Sequence, residues 1–372
     1  RGVQDPLVFT VKRDKIPILS LDASYMIQPK TGYVRINRFG ATTAEEFKKA
    51  MKELQKQGMK DMILDLQGNG GGYLNAAIDL ANEFLEQKEV IVYTEGRTAK
   101  RSDFYAKGNG DFRNGRLIVL VDEYTASASE IVSGAVQDWD RGIIVGRRSF
   151  GKGLVQRPID LPDGSMIRLT IARYYTPAGR CIQKPYDSST DYNKDLIERF
   201  NHGELMNADS IHFPDSLKVQ TKKLGRTVYG GGGIMPDYFV PIDTTLYTDY
   251  HRNLVAKGVV IKFTMKFIER HRKELASKYK KFESFNEKFI IDDGMMATLR
   301  EMGDKEGVKF NEEQYRKSLP LIKTQLKALI ARDLWDMNEY FRVMNTTNES
   351  VQKALEILNS DEYQKKLKAH QP

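Results

Sequence analysis

The sequence predicts an α/β fold: a mostly parallel sheet with helices, an added antiparallel hairpin, and a long helical region towards the C-terminal end. Three observations carry this expectation. Between residues 32 and 146, short apolar strands alternate with amphipathic helical stretches, the pattern of parallel strands joined by helical crossovers. Residues 154–175 read as two strands around a Pro-Asp-Gly turn. From about residue 245, apolar residues recur at helical spacing.

Each element has its own warrant. Residues 7–19, LVFTVKRDKIPIL, read as two short strands split at a turn, too little for a domain. GYVRINRF (32–39) alternates, with Val34 and Ile36 on one face. In the following helix Thr43 and Glu46 have capping-box spacing, and Phe47, Ala50, Met51 and Leu54 form the apolar stripe. DMILDL (61–66) is a strand, QGNGGG (67–72) a glycine-rich break, and residues 73–87 a helix with Leu74, Ala77, Ile78, Ala81 and Leu85 in its stripe. RLIVLVDEY (116–124) is a buried strand running into a helix with Val132, Ala135, Val136 and Trp139 on one face. GIIVG (142–146) is another strand. GGGGIMPD (230–237) is a sharp break, and a late helix carries Leu319, Ile322, Leu326, Leu329 and Ile330. The resulting organisation is a lead segment (1–31), an α/β core (32–182), an insertion (183–228), a return segment of the core (229–244) and a helical C-terminal domain (245–372).

Composition narrows the function classes. The chain has 372 residues, is 40% hydrophobic and carries a net charge of +8, enough apolar material for a packed core. The densest basic stretch, residues 262–281, holds eight Lys/Arg against two Glu and reads as the solvated face of an amphipathic helix. No aromatic-basic motif accompanies it, so nucleic-acid binding is not expected. Cys181 is the only cysteine, which excludes an intramolecular disulfide and a zinc-type cysteine cluster. No apolar run approaches 18 residues. The first residue is Arg, so a fragment or processed form is expected, with a removed signal peptide among the possibilities.

RRSFGKGLVQ (147–156) poses the functional question. Gly146 followed at the fifth place by Gly151 and then Lys152 nearly matches a phosphate-binding loop. That loop needs Ser or Thr next and a helix afterwards. Here Gly153 follows, and Pro158 with its neighbours reads as strand. A second reading pairs the lysine with a serine. DEYTASASEI puts Ser127 at the end of a buried strand and the start of a helix, exposed and followed by backbone N–H groups able to hold an oxyanion. Ser127 and Glu130 equally fit a capping box with no catalytic role. The glycine run 67–72 also follows a strand and opens a helix, so the two turns converge at the carboxyl ends of the sheet; a plain tight turn remains the alternative. His202, His212, His251, His271 and His370 all lie outside the core, so a serine nucleophile needs another base, and a desolvated lysine serves. On a strand, Lys152, Leu154 and Gln156 share a side, which lets Gln156 hold the lysine amine.

GYVRINRF, MILDLQGNGGGYL, VDEYTASASEI, GRRSFGKGLVQ, DGSMIRLTIARYYTPAGRCIQ and GGGGIMPDYFV occur in this order, and together they resemble the carboxyl-terminal processing (tail-specific) proteases over roughly half the chain. The resemblance implies a ClpP/crotonase-like core, the truncated end of a PDZ domain in residues 1–31, and a Ser–Lys dyad. It assigns Ser127 as nucleophile, Lys152 as general base, Gln156 as the residue orienting the lysine, and the backbone N–H groups of Ala128 and Gly71, with Gly72 as alternative, as oxyanion hole. Gln67 and Gly70 depart from the family's Arg and Pro in the glycine turn. No metal or organic cofactor is implied. The expected activity is serine endopeptidase on protein or peptide substrates near their C-terminal tails, in the periplasm or otherwise exported, with a homo-oligomer through the C-terminal helices possible. The competing reading is a non-catalytic peptide-binding relative that keeps the fold.

Overall fold

A computed structural model describes residues 8–14, 18–185 and 194–368. Strands β1 (Leu21–Gln28) and β2 (Thr31–Ile36) form an antiparallel pair. Helix α1 (Thr43–Lys56) leads to β3 (Asp61–Asp65), and α2 (Leu74–Asn82) follows. The chain then makes β4 (Val90–Glu95) and β5 (Ser102–Tyr105) before returning with β6 (Leu117–Val121), α3 (Ala128–Asp138) and β7 (Ile143–Gly146). Strands β8 (Leu154–Asp160) and β9 (Met166–Tyr175) join β4 and β5 in a four-stranded antiparallel sheet of order β5-β4-β9-β8. After α4 (Asp195–Asn201) and the small hairpin β10 (Lys218–Gln220) and β11 (Thr227–Tyr229), strand β12 (Tyr238–Phe239) pairs in parallel with β7. The main sheet therefore runs β1-β2-β3-β6-β7-β12, parallel from β2 onward.

Strand periodicity sorts this sheet into two faces. Val34, Met62, Leu64, Leu117, Val119, Val121 and Ile144 point to one side, where they pack with Phe47, Leu80, Phe84, Ile131, Val132 and Val136 of α1–α3 and the turn after α2. The intervening Tyr33, Ile63, Ile118, Leu120, Ile143 and Val145 point to the other. Burial on both sides is why β3, β6 and β7 are almost wholly apolar.

The C-terminal half is helical: α5 (Asp249–Ala256), α6 (Val259–Lys278), α7 (Phe282–Lys288), α8 (Asp293–Lys305), α9 (Glu312–Leu334), α10 (Met337–Met344), α11 (Glu349–Asn359) and α12 (Glu362–Lys368). Helices α5–α10 share a core of their own around Phe263, Phe285, Ile322, Leu326 and Ile330. The basic stretch falls mainly on α6, whose other face buries Val259, Val260, Phe263, Ile268 and Leu275. Helices α11 and α12 leave the bundle and lay Val351, Ala354, Ile357, Leu358 and Tyr363 on the second face of the sheet. Removing residues 348–372 therefore strips that face bare. Each of those large side chains is worth about 1.5–3 kcal/mol on burial, and domains are stable by only about 5–15 kcal/mol. The truncated chain is expected to lose cooperative thermal unfolding by circular dichroism and to be degraded rapidly in limited proteolysis.

The structure departs from the sequence expectation in several places. The strands expected within 7–19 are not formed: described residues 8–14 and 18–19 make no ladder, and Val8, Phe9, Val11, Ile18 and Leu19 are exposed. The first strand is instead β1, inside the segment read as a remnant and linker. Its Ala23, Tyr25 and Ile27 join the second face of the sheet. Strands β4 and β5 were not anticipated. The Thr43–Glu46 capping box is also absent. The Glu46 carboxylate accepts from the N–H groups of Ser20 and Leu21, and Thr43 Oγ1 accepts from Gly40 N–H. Tertiary partners outcompete the local cap.

Candidate active site

Ser127 ends the turn after β6 and caps α3 in an unusual conformation, φ 56° and ψ −113°. A non-glycine residue at positive φ costs about 1–3 kcal/mol and persists only where its surroundings enforce it. Thr125 supplies part of that enforcement. Its hydroxyl bonds Leu66 O and the Asp122 carboxylate, and Asp122 also accepts from the N–H groups of Gly68, Tyr124 and Thr125. Burial pushes the Asp122 carboxyl up from its ordinary value.

The glycine turn is tied to this elbow. Asn69 is fully buried; its carbonyl accepts from Ala126 N–H and Ser129 Oγ–H, and its side-chain amide donates to Ile36 O. Gly71, at φ +96°, lies against the serine: a Cβ there would stand 2.8 Å from both Ala126 O and Ser127 Cβ and 2.9 Å from Ala128 N. Only glycine fits both the backbone angle and the space. Gly71→Ala is expected to cost about 2–4 kcal/mol through strain and overpacking, read as a lowered urea midpoint.

The oxyanion candidates differ in availability. Ala128 is the first residue of α3, and its N–H has no acceptor among the described residues, as helix geometry dictates. Gly71 N–H donates to Asn69 Oδ1 at 2.9 Å. Gly72 N–H is without an acceptor among the described residues, although a Cβ at Gly72 would meet Phe39 O at 2.1 Å.

Glu130 brings the lysine loop to the serine. Its carboxylate is completely buried and takes four hydrogen bonds. Oε2 accepts from Ser127 N–H and Lys152 N–H, both at 2.8 Å. Oε1 accepts from Gly151 N–H at 2.7 Å and Ser149 Oγ–H at 2.5 Å. Burial raises the Glu130 carboxyl, and the four donors partly offset that. One oxygen thus joins the backbone of Ser127 to that of Lys152. This is the signal that the sequence reading absorbed into a capping box: the spacing of Ser127 and Glu130 was visible, but not the second loop on the same carboxylate.

The side chains of the expected dyad are not hydrogen-bonded to each other. Lys152 is exposed and points along a groove of about 810 Å³, where it is accompanied by Leu154, Gln156, Arg173 and Gln183. Gln156 also does not bond Lys152. The register of β8 against β9 shifts between Val155 and Gln156, with Leu154 opposite Arg173 and Gln156 opposite Thr170; the extra residue, Ile171, lies on β9, and Lys152, Leu154 and Gln156 line the same groove. Among the described residues, no group of three or more His, Cys, Asp or Glu side chains could hold a metal ion. Cys181 is a half-buried free thiol held above its ordinary value by burial.

Gln67, one of the two family departures, connects this turn to the C-terminal helices. Its amide donates to Ser350 Oγ and accepts from Asn348 Nδ2–H at the start of α11. Gly70, the other departure, is exposed with open space around it.

Residues 30–190 match the family described as peptidase family S41, and residues 250–336 match a family of unknown function. A carboxyl-terminal-processing protease of Picosynechococcus sp. is 44% identical over 155 residues, 42% of this chain and 37% of that protein. One of Synechocystis sp. is 42% identical over 188 residues, 49% of this chain and 43% of that protein. The chain thus spans less than half the length of these relatives. Among solved structures, a photosystem II D1 C-terminal processing protease aligns at a TM-score of 0.44 and 28% identity, covering 63% of this chain and 51% of that one.

Proposed function

We propose that this chain, which carries a peptidase family S41 domain over residues 30–190, is a serine endopeptidase acting near the C-terminal tails of protein substrates. The observation that carries the reading is the buried Glu130 carboxylate holding the backbones of Ser127 and Lys152 on one oxygen. Lys152 Nζ, swung from the groove towards Ser127, takes the proton from Ser127 Oγ as the oxygen attacks the scissile carbonyl carbon. The oxyanion is held by Ala128 N–H and by the glycine turn: Gly71 once released from Asn69, or Gly72. Collapse expels the amine, which leaves with the proton from Lys152, and water hydrolyses the acyl-enzyme through the same base. Gln156 orients the amine in the reacting arrangement. No cofactor takes part in these steps.

The same proposal extends to the ClpP/crotonase-like character of the core, which includes β1, to the bounds 183–228, 229–244 and 245–372 for the segments after it, and to an exported, periplasmic location. Assembly through the C-terminal helices belongs to it as well. No helix among the described residues is long and apolar enough to cross a membrane.

A second reading, a peptide-binding relative without catalysis, draws on the lack of a hydrogen bond between Lys152 Nζ and Ser127 Oγ. A fluorophosphonate probe separates the two. Peptide mass mapping of the treated chain is expected to find one adduct, on Ser127, that disappears in Lys152→Ala. An unlabelled Ser127 would favour the binding reading.

A further inference from the structure

The groove that holds Lys152 has an unbalanced charge. It lies on the four-stranded sheet, with Glu95, Arg97 and Arg173 among its lining residues. Arg173 stands directly across the ladder from Leu154 on one side and Glu95 on the other. Cross-strand neighbours of this kind have their Cβ atoms about 4.5–5.5 Å apart on one face, so Arg173 projects beside the residue two places after Lys152. Most guanidiniums of the core have a carboxylate: Arg35 with Asp65, Arg101 with Asp103, Arg116 with Asp61, Arg147 with Glu123, Arg148 with Glu204, and Arg180 with Asp138. Arg97 and Arg173 have none among the described residues, as is true also of Arg38, Arg141, Arg157 and Arg168, but Arg97 and Arg173 are the two that line this groove, and Glu95, although opposite Arg173, forms no ion pair with it. The groove walls add Leu154, Ile171 and Tyr175, which offer apolar contact beside the charges.

From this we infer that Arg97 and Arg173 form a carboxylate-binding subsite beside Lys152, so that the preferred substrate segment carries an acidic group close to the bond cleaved. The inference rests on the proposed peptidase reading of Ser127 and Lys152. Guanidinium matches carboxylate geometry with two parallel N–H···O bonds, which a lysine amine cannot do. The carboxylate is either an Asp or Glu side chain or the terminal carboxylate of a short tail; both present the same atoms.

The test uses the full chain and fluorescent decapeptides of one apolar sequence. One set places a single Glu, or Gln in its stead, at successive positions. Another compares a free C-terminal carboxylate with its amide. A preference of about tenfold in kcat/KM for the acidic member of a pair is expected, mostly in KM and shrinking with added salt. In Arg97→Gln/Arg173→Gln the acid-to-neutral ratio falls to near one. A ratio sensitive to Glu against Gln identifies the side chain as the source, and one sensitive only to amidation identifies the chain end. Equal rates for every pair in the wild-type chain, or a ratio that survives the double substitution, overturns the subsite. Binding of the same peptides to Ser127→Ala, followed by fluorescence anisotropy, reads the subsite without turnover. If the Ser127 labelling fails while acidic peptides still bind more tightly in an arginine-dependent way, the catalytic reading falls and the subsite stands. If labelling succeeds and no acidic preference exists, the reverse holds.

Discussion

Ser127→Ala and Lys152→Ala are each expected to lower the rate of cleavage of an unfolded protein substrate by about a thousandfold or more, with the far-ultraviolet circular dichroism of the chain unchanged. The size follows from the division of labour at the site. On the proposed mechanism, loss of Ser127 Oγ leaves no acyl-enzyme, and loss of Lys152 Nζ removes the proposed acceptor of the serine proton. Residues acting as one unit lose nearly everything when either is removed, so the double variant is no slower than the single ones. What survives comes from the Ala128 N–H and the glycine turn. Lys152 is exposed and Ser127 half-buried, and their backbone bonds to Glu130 persist in alanine. Full activity in either variant, measured by gel or by peptide release, would remove that residue from the mechanism.

Glu130→Ala is expected to cost about 3–5 kcal/mol of unfolding free energy and to abolish turnover. The substitution leaves the N–H groups of Ser127, Gly151 and Lys152 and the Ser149 hydroxyl without their acceptor in a buried site. An unsatisfied buried donor costs about 1–3 kcal/mol, and the losses are not fully additive because the loop relaxes. Glu130→Gln is informative beside it. Only one oxygen remains, so either the Ser127–Lys152 pair or the Ser149–Gly151 pair meets an amide N–H head-on. Denaturant titration is expected to rank wild type, Gln and Ala in that order of stability. A Glu130→Ala chain as stable and active as wild type would show that the two loops hold together without the carboxylate.

Much of the core could be read in the sequence because both its faces are buried. LIVLV and IIVG are so apolar that only an interior strand accounts for them, and the turns after β3 and β6 follow. β1 was missed because its alternation is diluted by half-buried positions and a register irregularity near Met26. β5 is short and partly polar, and although β4 pairs locally with β5, its other neighbour, β9, lies far away in the chain. For the candidate site, Ser127, Lys152 and the glycine run stand out as local turns, whereas Ala128 and Gly71 were singled out only by the family resemblance. The joint use of Glu130 by two loops was not legible, since Ser149, Gly151 and Lys152 come about twenty residues later. Nor was the extra residue Ile171 on β9 opposite Val155 and Gln156, because a bulge leaves no mark in residue alternation.

Helices α11 and α12 cover the second face of the sheet, yet the chain reaches them only after the whole helical bundle has been made. A chain emerging from the ribosome therefore exposes Ile63, Ile118, Leu120, Ile143 and Val145 throughout the synthesis of the bundle. Gln67 also has nothing to grip until Asn348 and Ser350 arrive. The order of synthesis thus acts as a timer. The nascent molecule cannot complete the turn beside Ser127 until nearly all of this sequence is out, and a binding protein for exposed apolar strands has its longest opportunity over that same interval.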